Sequence, residues 1–420
     1  MTPRPPAPEF LLLWLRIGAI GFGGPAGQIA LMHEELVEHR RWVGETAFRH
    51  ALGYCMVLPG PEAQQLATYL GWLSYGLVGG LAAGLSFIVP GLLLMLGLSW
   101  LIAGWGELPA VSAALAGLKP AVVVLVAAAA WRLQGRLQLR ETLIAAAALA
   151  ATLAGLLPFA ATIGLAALAG WLLCRSPAPD GADPAEPRSG AATPAPSLRR
   201  LLGGCGIALL LWAGCRAGLA TGAPLLGELA DFFTRAALVT FGGAYAVLPY
   251  VFDVAVREAQ WLSPAQMIDG LALGETTPGP LILVNTYIGF FAGWNASAGD
   301  AGVALAGALV VTLFTFMPSF AFILIGAPWV ERSRDLLWLR APLRGISAAV
   351  AGLVTALGLT FAAHVLWPGG WVEARLSGGM DWRAGLLLLL LAGIRWRLGW
   401  GGVRLVAAGA LLGLAVWLAG

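Results

Sequence analysis

Glycine, proline and cationic residues recur in this chain inside segments that are otherwise apolar. Gly21-Phe22-Gly23-Gly24, followed by Pro25, returns as Thr240-Phe241-Gly242-Gly243. Leu58-Pro59-Gly60-Pro61 returns as Thr277-Pro278-Gly279-Pro280, and Trp42 returns as Trp261. Each pair lies 219 residues apart (240 − 21, 278 − 59 and 261 − 42). Glycine frees the backbone to break a helix, and proline suits the first position of the next one, where no N–H is needed. A helix broken within a bilayer aims unpaired N–H groups, at its positive end, toward the membrane centre. Such ends attract oxyanions. Gly23, Gly24, Gly60, Gly242, Gly243 and Gly279 are therefore candidate anion contacts. One such motif would be read as close helix packing or a kink; four in symmetric register favour a site.

Cations recur as well. Arg16 and Arg235 stand 219 residues apart, and Lys119 in Leu118-Lys119-Pro120 matches Arg344 in Leu343-Arg344-Gly345 at a spacing of 225. A cation at mid-membrane costs about 2.5–3.5 kcal/mol on insertion scales, so it usually faces a cavity or a partner. Snorkelling to the interface is the competing reading, strongest for Arg16 and Arg235 near one end of their segments. Two acids, Glu62 and Glu275, flank the Pro-Gly-Pro breaks and could bind and release a proton. Glu62 serves equally well as a dipole partner in the first turn of a helix. Gln64, Gln65, Thr276, Thr277 and Asn285 supply neutral hydrogen bonds.

The elements that must hold these groups are membrane helices. The 420 residues are 59% hydrophobic and 11% charged, with mean hydropathy +0.81; soluble domains carry roughly 25% charge. Apolar stretches such as Leu81–Ala103 and Ala110–Trp131 approach the roughly 20 residues that cross a bilayer. The first apolar run reads as a retained segment, since no basic leader precedes it and no cleavage site follows. The four cysteines lack metal spacing, the histidines are scattered, and the charge of +3 does not suggest nucleic acid. No cofactor, metal or catalytic residue is implied.

The expected fold is an all-α polytopic membrane protein with two inverted-topology repeats, broken or re-entrant helices and about 10–14 membrane segments. Residues 1–174 form the first repeat, 175–200 a disordered cytoplasmic linker, 201–228 an extra transmembrane helix and 229–420 the second repeat. The extra crossing turns the second repeat over. Placing Arg132, Arg136 and Arg140 inside also brings the linker and the loops with Arg332, Arg334 and Arg340, and with Arg395, Arg397 and Arg404, inside.

On these motifs, together with Tyr69-Leu70-Gly71, Gly274-Glu275-Thr276 and Tyr287-Ile288-Gly289, the chain resembles the chromate ion transporter family in its long, two-domain form. The resemblance spans roughly Phe10–Leu133 and Leu229–Phe361. It implies a multi-pass protein of the bacterial inner (plasma) membrane that exports chromate, driven by the proton motive force, and confers chromate resistance. The partners are then chromate, protons and the bilayer; a homodimer is compatible with the sequence. Sulfate matches chromate in charge and shape, so a sulfate or other oxyanion transporter is the alternative, as is an anion channel. The less polar Leu281–Val284, against Glu62–Gln65, implies an asymmetric site.

Overall fold

The computed structural model describes residues 5–22, 24–135, 137–174, 198–219, 224–241, 243–330, 337–367, 371–372, 375–376 and 379–419. Its first part runs α1 (Ala7–Ile20), α2 (Gly24–His33), α3 (Glu45–Cys55), α4 (Glu62–Trp105), α5 (Pro109–Gln134), α6 (Leu139–Leu153), α7 (Phe159–Leu173) and α8 (Leu198–Leu219). Next come α9 (Pro224–Leu238), α10 (Ala244–Phe252), α11 (Pro264–Thr276), α12 (Val284–Ala296), α13 (Ala301–Val330), α14 (Leu337–Leu366), α15 (Trp382–Leu398) and α16 (Gly402–Ala419). A two-residue antiparallel ladder, Trp371–Val372 with Arg375–Leu376, sits between α14 and α15. Gly23, Gly242, Arg136, Arg332, Arg334 and the linker through Pro196 and Ser197 lie outside the described residues. The extra helix α8 begins at Leu198, inside the expected linker.

The chain is an all-α polytopic membrane protein. Among the described residues, five helices are long and apolar enough to cross a membrane: Glu62–Trp105, Pro109–Gln134, Leu201–Leu219, Ala301–Ala327 and Ala341–Leu366. Others are shorter, among them the segments on either side of the Gly- and Pro-rich breaks. The 14 residues of α1 extend about 21 Å, against a hydrocarbon core of about 30 Å.

The recurrence read from glycines and prolines extends to the backbone. Each repeat carries a six-residue turn of wide, π-type helix, Glu34–His39 and Asp253–Glu258, again 219 apart (253 − 34). Each turn ends in a left-handed residue, Arg41 (φ 52°) and Gln260 (φ 51°). The Val43 N–H donates to Leu36 O and the Leu262 N–H to Ala255 O, both at 3.2 Å. The matched tryptophans follow directly. Trp261 is buried against Phe232 and Phe233, with ring centroids 5.5 and 6.3 Å away.

Helix α4 folds back on itself at Tyr75–Gly76, so that Gly71 abuts Gly79 and Gly84 abuts Thr68. In the second repeat α12 and α13 make the same hairpin, with Gly289 against Gly307. The last helices are exchanged between repeats. From the first, α5 packs on α15 and α16; from the second, α14 packs on α6 and α7. Small residues permit both contacts: Gly117 meets Gly409 and Gly413, and Gly345 meets Ala166 and Gly170. Lipid offers no hydrophobic drive between helices, so this close backbone approach supplies the van der Waals contact that holds them.

Charges gather at the first π turn. The Arg40 guanidinium bonds Glu35 and lies 3.6 Å from Glu9, while His33 meets Glu45 at 2.6 Å and Glu38 at 3.2 Å. The hydrogen bond to Glu45 raises the His33 pKa above the ordinary histidine range, the charges of Glu45 and Glu38 add to it, and burial opposes.

Two outcomes follow from these contacts. Gly117→Val drives a side chain into the α16 backbone and should cost about 1–3 kcal/mol, seen as a lower Tm in detergent. Gly97→Ala, with open space beside it inside α4, should not lower Tm. A raised pKa means that the bound proton of His33 stabilises the fold below the unfolded value of about 6.5, and that this is lost as pH rises through the folded value. The Tm advantage of wild type over His33→Gln should therefore shrink between acidic and alkaline buffer; a constant advantage would contradict the pairing.

Candidate functional site

The breaks between helices meet at two crossings related by the repeat. The Gly60 N–H donates to Thr240 O at 2.7 Å, and the Gly279 N–H donates to Gly21 O at 3.2 Å. Since 60 and 279, like 21 and 240, are 219 apart, each Pro-Gly-Pro turn bonds the helix break of the other repeat, reciprocally. The long helices join in equivalent places. Gly91, after Pro90, lies against Pro278 O; Ser319, after Pro318, lies where a Cβ on Gly60 would stand. Gly60 has φ +127°, which side chains rarely tolerate, and a Cβ there would also reach Gln65 Nε2.

The two crossings differ in polarity. Around Gly60 stand Gln64, Gln65 and Thr68 from α4 and Ser319 from α13, all wholly buried. Along α13 Thr312, Thr315 and Ser319 share one face, spaced by three and then four residues, as on one side of a helix. Thr312 is 2.8 Å from Thr286, and Asn285 donates to Thr315 at 3.4 Å. In the matching stretch of the other hairpin, 228 residues earlier, stand Gly84, Phe87 and Gly91. The Gly279 crossing is lined by Leu283, Phe87 and Gly91; buried polar side chains beside it are Thr277, which bonds Gly274 O of its own helix, and Gln28, which donates to Gly279 O at 2.5 Å and Gly21 O at 3.1 Å.

The polar crossing has spare hydrogen-bonding capacity. Gln64 donates to Thr68 at 2.9 Å and Gln65 to Pro59 O at 2.7 Å, leaving both amide oxygens, Asn285 Oδ1 and Ser319 Oγ buried without a partner. Each amide NH2 has a second hydrogen. A hydroxyl both donates and accepts, so the Gln64 amide can reverse against Thr68 and present its NH2 instead. The cluster is uncharged, rich in donors and sealed from solvent. It can hold a desolvated oxyanion through several directed hydrogen bonds; the carboxylate beside it is Glu62, at the start of α4.

Sequence reasoning placed cations here, and the structure gives them other partners. The Arg16 side chain is 59% exposed, 3.9 Å from Glu35. Arg235 is exposed and bonds its own helix at Asp231 O. Arg344 donates to Glu141 at 2.6 Å, Gln138 at 2.9 Å and Cys174 O at 3.4 Å, which ties α14 to α6 and α7. Lys119 on α5 faces Asp269 on α11 at 3.9 Å. Thr276 and Thr277 bond carbonyls of their own helix. Gly24 and Gly243 open α2 and α10 with positive φ and free space beside them. Of the acids, Glu62 opens α4, and Glu275 accepts a hydrogen bond from the Tyr245 hydroxyl. Gln28, Thr68, Asp269, Thr312, Thr315 and Ser319 escaped sequence reasoning. The helical spacing of 312, 315 and 319 was a signal for three of them.

A cavity of about 870 Å³ between α6, α7, α10 and α14 shares no lining residue with this cluster. No solved structure matches the chain. A chromate transport protein of Pseudomonas aeruginosa is 33% identical over 366 residues, 84% of this chain and 81% of its own length. One from Cupriavidus metallidurans is 28% identical over 349 residues, 83% and 80%. A probable chromate transport protein of Synechococcus elongatus is 29% identical over 350 residues, 82% and 83%. The profile described as chromate transporter matches residues 8–171 and 227–414, taking in both repeats and both crossings. The chain belongs to the chromate transporter family.

Proposed function

We propose that this protein exports chromate across the bacterial inner membrane, driven by the proton motive force, and so confers chromate resistance. The observation that supports this most is the sealed, uncharged polar cluster at the Gly60 crossing, where helix breaks of the two repeats join. Tetrahedral dianions need several convergent donors, and amides, hydroxyls and helix ends provide them without a fixed countercharge. Gly24, Gly243, Gln64, Gln65, Asn285 and Ser319 make up the binding set in this reading. The extra helix α8 reverses the second repeat, and alternating access comes from rocking one inverted repeat against the other around the crossings. Glu62 and Glu275 are the acids beside the breaks.

Sulfate is a second reading, favoured by the same donor set. Neutral donors select charge and shape, and both dianions offer them four oxygens.

Everted vesicles test the proposal. Wild type should accumulate chromate while respiration acidifies the interior, lose that accumulation with a protonophore, and show the preferred dianion under sulfate competition. Removing a buried hydrogen bond to a charged group costs about 1.5–3 kcal/mol, roughly ten- to a hundredfold in rate. Gln65→Leu and Ser319→Ala should each slow initial uptake by that much. Arg344→Ala should lower Tm and spare the rate. Full-rate transport by both cluster variants would remove the cluster from the pathway.

A further inference from the structure

The matched cations Lys119 and Arg344 each reach an acid of the opposite repeat, but the two pairs are built differently. Arg344 is fully engaged, with three acceptors within hydrogen-bonding distance. Lys119 stands off from Asp269 at 3.9 Å, too far for a hydrogen bond, and Asp269 Oδ1 is buried without a hydrogen-bond partner. The Tyr287 ring packs against Gly270, and its hydroxyl is also buried and unpartnered. Among the described titratable groups on the helices packed against α11, Lys119 of α5 and Tyr287 of α12 interact electrostatically with the Asp269 carboxylate. Exposure is graded across the pair: the Lys119 side chain is 28% exposed and that of Asp269 9%. The ammonium is the more accessible of the two charges.

A buried charge pair without a close hydrogen bond is a poor way to stabilise a fold, since desolvation offsets most of the attraction. Its looseness suits exchange. We propose that Lys119 and Asp269 are the proton-exchange pair of the transport cycle: an arriving oxyanion takes Lys119 as its counter-ion, and Asp269, deprived of its own, takes up a proton. The proton adds from water to the carboxylate, no electrons move, and it returns to water when the anion leaves and Lys119 swings back. The Tyr287 hydroxyl can donate to the carboxylate or accept from the acid, so it serves both states. Glu275, by contrast, already has a fixed donor in Tyr245. The inference rests on the reading of this chain as an oxyanion transporter.

Calorimetry on the purified full chain tests it. Chromate is titrated at pH 7 in two buffers of different ionisation enthalpy, which yields the protons taken up per anion bound. Wild type should take up more protons than Asp269→Asn, and Asp269→Asn should bind chromate at least as tightly, because Lys119 has lost its competitor. The charge-neutral double variant Lys119→Gln/Asp269→Asn covers misfolding of the single one. It should bind more than tenfold more weakly and match Asp269→Asn in proton uptake. Equal proton uptake in wild type and either variant, or weaker binding by Asp269→Asn, overturns the pair. A wild type that binds neither chromate nor sulfate overturns the transport reading itself, and the pair with it.

Discussion

Two hydrogen bonds organise this molecule, Gly60 N–H to Thr240 O and Gly279 N–H to Gly21 O. A helix broken inside a membrane leaves backbone groups that lipid cannot satisfy, at several kcal/mol each. Here the repeats complete one another: the donor freed at one Pro-Gly-Pro turn meets a carbonyl freed at the other repeat's Gly-rich break. Neither half could hide its breaks alone. The exchange of α5 and α14 between repeats, zipped by Gly117 and Gly345, binds the halves into one body around these crossings.

The duplication sets up two equivalent crossings, and substitution has made them unlike. Hydroxyls on α13 and amides on α4 converge at Gly60, while leucine, phenylalanine and glycine fill the matching positions at Gly279. In the proposed reading, a single polar crossing concentrates donors on one anion. Two weak, identical ones would divide them. The backbone symmetry needed for closure is thus kept, and side-chain symmetry, which closure does not require, is given up.

Cations that recur in register need not share a role. Arg344 clasps three helices, Arg16 and Arg235 reach toward the surface, and Lys119 faces a buried acid whose Oδ1 has no hydrogen-bond partner. The planar guanidinium satisfies several acceptors at once, whereas the ammonium is a compact charge on a flexible stem. Geometry of this kind separates a structural clasp from a movable counter-ion.

The sequence by itself determined the membrane class, the 219-residue register and the positions of the breaks. Those depend on local properties: apolar length, the freedom of glycine and the missing N–H of proline. Even the π turns at Glu34–His39 and Asp253–Glu258 fall in that register, although no residue type announces them. The asymmetry between the breaks was legible as well, in Glu62–Gln65 against Leu281–Val284; only the tertiary structure decided that Ser319 of the other repeat joins the polar crossing and which acid meets Lys119. Asp269 and Ser319 lie 150 and more residues from Lys119 and Gly60, and a lone polar residue in an apolar run has no local mark of what it faces. Partnership across repeats is fixed by how helices pack, and that is set by many small contacts summed over the whole fold.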